Sequence, residues 1–235
     1  MTNRSRTVII FAKQPVAGRV KTRLSPPLTE ESAAGLYACM LGDTLAMAGG
    51  LRGVNLCICY QDDPGAVDYF ASLAPGVELT PQRGADLGER MAAAFMERFA
   101  GGDGSVAIIG SDSPDLPPVY VMEAFRLLDE GSDAVFGPAE DGGYYLVAMK
   151  RVWPELFTDL PWSSESLLAA SLARAAQSGI GVGLLPPWSD LDEWGDLLGG
   201  VESGRLAAAP QTLGFIREMI LPGLARKEGS TPATS

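Results

Sequence analysis

The sequence predicts an α/β fold, a single-domain three-layer sandwich with helices on both faces of a mainly parallel mixed sheet. Three observations support this. Short apolar runs of strand length alternate with longer helix-period segments along the 235 residues. Apolar residues make up 46% of the chain, enough to fill one large core. No convincing linker and no internal repeat divides it, so residues 1–226 read as one domain and the polar stretch 227–235 as a flexible tail.

Each element has its own signal. Val8 to Ala12 is β-branched and aromatic and reads as the first strand. Thr29 to Met47 reads as a helix, with Thr29 as cap and Glu30 and Glu31 in its first turn. Val54 to Tyr60 is the second strand, Ala66 to Leu73 a short helix after the Asp63-Pro64-Gly65 turn, and Val77 to Leu79 a third strand. From Asp86 to Phe99, Leu87, Met91, Phe95 and Phe99 recur every four residues as a core stripe, behind an Asp86/Glu89 capping box. Val106 to Ile109 is a strand, and Pro117 to Asp129 a helix with proline in its first turn. Asp133 to Gly137 and Tyr144 to Met149 read as two strands around Asp141-Gly142-Gly143. Helices at Ser163 to Gln177 and Gln211 to Ile220 flank a last strand, Gly181 to Leu185.

Composition narrows the chemistry. A net charge of −11 argues against general nucleic-acid or anionic-membrane binding, which needs a basic face. A nucleotide needs only a few local cations. The chain has no histidine, which excludes Ser-His-Asp and Cys-His catalysis and histidine-ligated zinc. Proton transfer falls to Asp, Glu, Tyr or Lys. A metal would be held by oxygen, which points to Mg²⁺ or Mn²⁺. Cys39, Cys57 and Cys59 form no disulfide framework, and Cys57 and Cys59 share one strand face as small hydrophobes. The polar start, Met1 to Thr7, lacks a signal-peptide core, and no apolar run has membrane-spanning length. A cytoplasmic, reduced protein is expected.

Five segments can carry chemistry. Lys13, Arg19, Lys21 and Arg23 crowd into eleven residues after the first strand, where ligands bind in α/β sheets. This loop is neither a Walker A motif nor a dinucleotide fingerprint. Gln82-Arg83-Gly84 opens the helix at Asp86, and Gln82 or Arg83 can meet a base or a phosphate. Gly110-Ser111-Asp112-Ser113-Pro114-Asp115 follows a buried strand and places a carboxylate at its end. Asp112 is the candidate ligand there, while Asp115, past the proline, is expected to serve the next helix. Glu140-Asp141-Gly142-Gly143-Tyr144-Tyr145 reads equally as a hairpin turn and as an acceptor wall. Asp190-Leu191-Asp192 is a second acidic turn, either a helix start or a further metal carboxylate.

Taken in order, these motifs resemble a bacterial glycosyltransferase-like family with the nucleotide-diphospho-sugar transferase fold. The matching segments are Phe11 to Lys13 with Lys21 to Leu24, Gly84 to Arg90, Gly110 to Pro114, Gly137 to Ala139 with Asp141 to Tyr145, and Asp190 to Asp192. The Gly18 to Leu24 stretch is similar, more distantly, to phospholactate guanylyltransferases and molybdenum-cofactor nucleotidyltransferases. The resemblance implies a GT-A-like, Rossmann-related sheet and a divalent-metal nucleotide site. Ser111-Asp112-Ser113 departs from the Asp-x-Asp usual in sugar transferases, so a second carboxylate must come from elsewhere, with Asp192 as the candidate.

The expected function is metal-dependent glycosyl transfer from a nucleotide sugar to an unidentified small-molecule acceptor. Lys13, Lys21 and Arg23, with Gln82 and Arg83, would bind the nucleotide and its phosphates. Asp112 and Asp192 would bind Mg²⁺ or Mn²⁺, and Asp141 would act as base on the acceptor. Two alternatives stand beside it: a nucleotidylyltransferase that releases pyrophosphate from a nucleoside triphosphate, and a non-catalytic nucleotide-binding module. Neither nucleic acid nor membrane insertion is expected, and the oligomeric state is open.

Overall fold

A computed structural model of the chain describes residues 5–222; the tail expected at 227–235 lies outside the described residues. In chain order the elements are β1 (Arg6–Ala12), α1 (Glu30–Gly49), β2 (Val54–Tyr60), α2 (Ala66–Leu73), β3 (Glu78–Pro81), α3 (Leu87–Ala100), β4 (Ser105–Ile109) and α4 (Pro118–Asp129). They continue with β5 (Ala134–Pro138), β6 (Tyr144–Met149), α5 (Leu167–Gln177), β7 (Val182–Leu184), α6 (Trp194–Glu202) and α7 (Pro210–Phe215).

The described strands form one seven-stranded sheet in the order β3-β2-β1-β4-β6-β5-β7. β6 runs antiparallel to β4 and β5, and the remaining neighbours are parallel. The mixed, mainly parallel sheet is the one the sequence predicts. The single reversal comes from the expected hairpin, where β5 returns as β6 through residues 139–143.

Alternation along the strands sorts the core into two layers, because successive side chains leave a strand on opposite faces. Val8, Ile10 and Ala12 of β1, with Ile58 and Tyr60 of β2, pack under α1, α2 and α4, where Phe70 and Phe125 are fully buried. Ile9, Cys57 and Cys59 face the opposite layer with Met91 and Phe95 of α3 and Ala175 of α5. A third cluster joins Leu36 and Met40 of α1 to Leu197, Leu206 and Ile216 of the C-terminal segment. No helix among the described residues is long and apolar enough to cross a membrane.

Several boundaries differ from expectation for local reasons. The third strand begins at Glu78 and reaches Pro81, where it meets Tyr60 of β2. α5 begins at Leu167, four residues late. Ser163 has a left-handed φ of 62°, and the Ser164 carbonyl accepts from the Leu167 amide in a turn. The Ser164 hydroxyl also accepts from the Ser166 amide, a local side-chain alternative to the helix. The Thr29 cap is present: its hydroxyl accepts from the Ser32 amide. Only half of the Asp86/Glu89 box forms. Asp86 accepts from the Glu89 amide, but the Glu89 carboxylate reaches the Ala85 amide, one residue earlier. α7 starts at Pro210 and is capped from a distance, because the buried Asp43 carboxylate accepts from the Gln211 and Thr212 amides and the Thr212 hydroxyl.

Candidate active site

The sheet order places the site. From β1 the chain moves outward to β2 and β3, then returns to lay β4 on the other side of β1. The carboxyl ends of β1 and β4 therefore diverge into different loops, which is where open α/β sheets bind ligands. A cavity of about 1480 Å³ opens at this point. All five segments singled out in the sequence contribute to its lining.

The first wall is fixed. The loop after β1 carries Lys13, Arg19, Lys21 and Arg23 to the cavity. Lys21 has a left-handed backbone, φ 49° and ψ 39°, uncommon for a residue with a side chain. Its side chain is only 2% exposed. The ammonium lies 2.5 Å from Asp112 Oδ1 and 2.7 Å from Asp192 Oδ1. Burial opposes the charge on Lys21, but the two carboxylates outweigh it and raise the pKa above the ordinary lysine value. Asp192 is itself pushed up by burial and pulled down further by Lys21, with help from Arg23 and Lys13, so it titrates below the usual range. Arg23 stands 3.6 Å from Asp192 Oδ2, and Arg19 3.3 Å from Asp63.

Tyr37 of α1 locks this wall to the β4 turn. Its buried hydroxyl shares a 2.7 Å hydrogen bond with Ser111 Oγ and accepts from the Lys13 amide at 3.0 Å. Burial, with the negative field of Asp112, pushes its pKa up to about 12, so the phenol stays neutral. Beside it, Ser113 donates to Asp190 Oδ1 at 2.5 Å, and the Leu191 amide donates to the Asp112 carbonyl. Burial pushes Asp190 up to about 6. The 190–192 turn is held from below by Asp196, whose carboxylate accepts from the Asp192 and Glu193 amides. Asp190 and Asp192 thus precede α6, and Glu193 is its cap.

Asp115 does not serve α4, as the sequence suggests. The cap of α4 is Pro117, with no side-chain bond, and the fully buried Asp115 carboxylate pairs with Arg205 at 2.9 Å. Burial raises the Asp115 pKa, and Arg205 offsets part of that rise. Arg205 also donates to the Ser189 carbonyl, so it fastens the β4 turn to the turn that carries Asp190 and Asp192.

The opposite wall is looser. Asp141 is exposed, and its Oδ1 accepts from the Gly143 amide at 2.9 Å, which orients the carboxylate at the tip of the β5–β6 hairpin. Gly142 has φ +87°, and a Cβ there would meet the Glu165 carbonyl at 1.9 Å. Only glycine permits this contact between the hairpin and residues 162–165. Trp162 lies on Gly88 in the same way, with a Cβ distance of 2.3 Å.

Gln82 lines the cavity, with its side-chain amide donating to the Cys59 carbonyl at 2.9 Å. Arg83 does not join it; it lines a separate depression of about 380 Å³ beside Met96 and Glu97. Arg90, one turn into α3, borders both the depression and the main cavity. Tyr37 and residues 163–165 were not singled out from the sequence, and Arg90, inside the Gly84 to Arg90 segment, was given no role.

The donor set can be tested against a divalent cation. Among the described residues no group of three or more His, Cys, Asp or Glu side chains could hold a metal ion. The carboxylates of Asp112 and Asp192 are 46% and 45% exposed, with Lys21 buried against both. Two half-exposed carboxylates, each with one oxygen on the Lys21 ammonium, could supply only part of the shell of a Mg²⁺-type ion, the remainder coming from other oxygen ligands.

Sheet order, hairpin and switch-point cavity together define the fold of the nucleotide-diphospho-sugar transferases. The chain belongs to the family DUF2064, described as an uncharacterized protein conserved in bacteria, whose model matches residues 44–164. A crystal structure from Desulfovibrio desulfuricans G20, assigned provisionally as a nucleotide-diphospho-sugar transferase, is 31% identical. It matches over 94% of this chain and 97% of its own, with a TM-score of 0.84. Two more distant structures share the fold. CMP:2-keto-3-deoxy-manno-octonic acid synthetase complexed with CTP is 14% identical over 88% of this chain and 99% of its own, TM-score 0.54. Rv0371c from Mycobacterium tuberculosis H37Rv, in complex with manganese, is 18% identical over 86% and 100%, TM-score 0.52. No curated protein matches the sequence.

Proposed function

We propose that the protein is a divalent-metal-dependent transferase that takes a nucleotide-sugar donor and passes its glycosyl group to a small-molecule acceptor. The observation that carries this reading is the Asp112–Lys21–Asp192 cluster at the switch point, facing a loop with further cations. The transferase assignment of the Desulfovibrio relative supports it. Lys13, Lys21 and Arg23 would hold the phosphates of the donor. Asp112 and Asp192 would hold Mg²⁺ or Mn²⁺, which when bound supplies positive charge opposite the departing diphosphate. The cations of the first loop act in the same direction. Asp141, oriented by the Gly143 amide, would take the proton from the acceptor hydroxyl.

One observation favours a second reading, nucleotidyl transfer. Lys13, Arg19, Lys21 and Arg23 all reach the cavity, and four cations suit a triphosphate tail as well as a diphosphate. The released product separates the two. With Mn²⁺ and a panel of nucleotide sugars and nucleoside triphosphates, a nucleoside mono- or diphosphate marks glycosyl transfer, and pyrophosphate marks nucleotidyl transfer. Asp112→Asn should lower either turnover by about 10²–10³-fold, the scale of losing one electrostatic contact to the transition state. Asp141→Asn should keep nucleotide binding and lose transfer; unchanged turnover would remove Asp141 as the base. If no nucleotide gives a metal-dependent rise in melting temperature, both readings fail.

A further inference from the structure

The Lys21 ammonium sits where the charges of Asp112 and Asp192 converge, within 2.7 Å of an oxygen of each. It is almost wholly buried, on a backbone conformation that a lysine adopts only under constraint. The two carboxylates, by contrast, are nearly half exposed and face the cavity. The cluster carries one net negative charge rather than two. Further positive charge lies beside Asp192, where Arg23 stands at 3.6 Å and Lys13 adds to the same field, while Asp190 adds negative charge on the Asp112 side. A divalent cation approaching alone would meet two carboxylates already partnered by an ammonium and backed by other cations. The same cation arriving with a phosphate-bearing ligand brings the negative charge that this group of cations can accept.

We infer that Lys21 is the resident counter-cation of the Asp112–Asp192 pair, and that it keeps the pair's affinity for a divalent cation low until a di- or triphosphate enters the cavity. The inference rests on the nucleotide–metal reading above and adds an order to it: metal and phosphate enter together. Binding of the two is then positively coupled, and the coupling is reciprocal.

The deciding measurement uses the full chain with Mn²⁺ alone, followed by electron paramagnetic resonance of the free ion. Lys21→Met removes the charge at similar volume. It should bind Mn²⁺ at least about tenfold more tightly than the wild type, within the usual range of coupling between sites. Lys21→Arg keeps the charge and should bind Mn²⁺ no better than the wild type. Circular dichroism checks the fold, and Lys21→Gln, which retains hydrogen-bond donors, replaces Lys21→Met if that variant unfolds. In a second arm, Mn²⁺ retained by the protein on ultrafiltration is measured with inorganic pyrophosphate, where the wild type should gain affinity and Lys21→Met should gain less. If the neutral variants bind Mn²⁺ alone no more tightly than the wild type, the inference falls. The nucleotide–metal reading then still stands, provided the wild type takes Mn²⁺ with pyrophosphate. If neither protein takes Mn²⁺ with or without pyrophosphate, both fall.

Discussion

The two walls of the cavity are built by opposite rules. On the β1–β4 side, most of the polar groups have buried partners: Lys21 has two carboxylates, Tyr37 joins Ser111 to the Lys13 amide, Ser113 holds Asp190, and Arg205 holds Asp115, while Lys13, Arg19 and Arg23 stay exposed. On the hairpin side, Asp141 and Glu165 are exposed, and contact runs through backbone at Gly142 and through the Trp162 ring on Gly88. Phosphate chemistry rewards charges held in place before the ligand arrives, since nothing need reorganise as charge develops. A wall of exposed acids over close-packed backbone can change its side chains without disturbing the sheet. The difference teaches that the β1–β4 wall is bound up with the stability of this fold, while the hairpin wall is laid over it with few side-chain ties.

Substitutions can break or sharpen that contrast. The largest effect on stability is expected for Arg205→Ala, which strands the fully buried Asp115 carboxylate. Breaking such a pair from one side costs about 3–5 kcal/mol. Urea unfolding should show it, and a loss below about 1 kcal/mol would mean that the β4 turn is not held by this pair.

A smaller effect should appear as pH dependence in the metal-free protein. Asp190 is pushed up to about 6 from the ordinary 3.8, chiefly by burial. Its folded form therefore holds the proton more tightly than the unfolded chain does. The stabilising contribution is complete below about pH 4 and is lost as pH rises through about 6, amounting to something on the order of 3 kcal/mol. Asp190→Asn should flatten that part of the stability–pH curve, and an unchanged slope would assign it to another group.

The smallest effect belongs to the hairpin side. Glu165→Gln, at an exposed position, should shift stability by no more than about 0.5 kcal/mol. A larger loss in urea unfolding would show that this wall too is structural.

Much of this arrangement was legible in the sequence where it depends on local pattern. Strand alternation placed Cys57 and Cys59 on one face, and the Asp-Gly-Gly turn announced the hairpin that reverses β6. The cationic loop and both acidic turns could be placed because they follow strands, and the sheet itself delivers strand ends to one cavity. What stayed hidden depends on partners far apart in the chain. Asp115 looked like a helix residue because Arg205 comes ninety residues later. Nothing near Tyr37 in the sequence shows its hydroxyl reaching Ser111, 74 residues away. Arg83 and Arg90 lie on either side of the α3 start, and only the folded backbone shows that Arg90 borders the main cavity and Arg83 does not. Lys21 was identified as a cation, but its position between two acids from different loops is a tertiary fact.

The bond from Arg205 to Asp115, with the turn it secures, has a consequence for biosynthesis. Ribosomes make the chain from its amino end, so β1 to β7, ending at Leu184, emerge before the turn at Asp190 and Asp192 and before Arg205. The sheet and the cationic loop can form while Lys21 still lacks its second carboxylate. The cavity wall is thus completed late in translation, and a nascent chain halted before residue 190 would carry the cations with Asp112 but without Asp192.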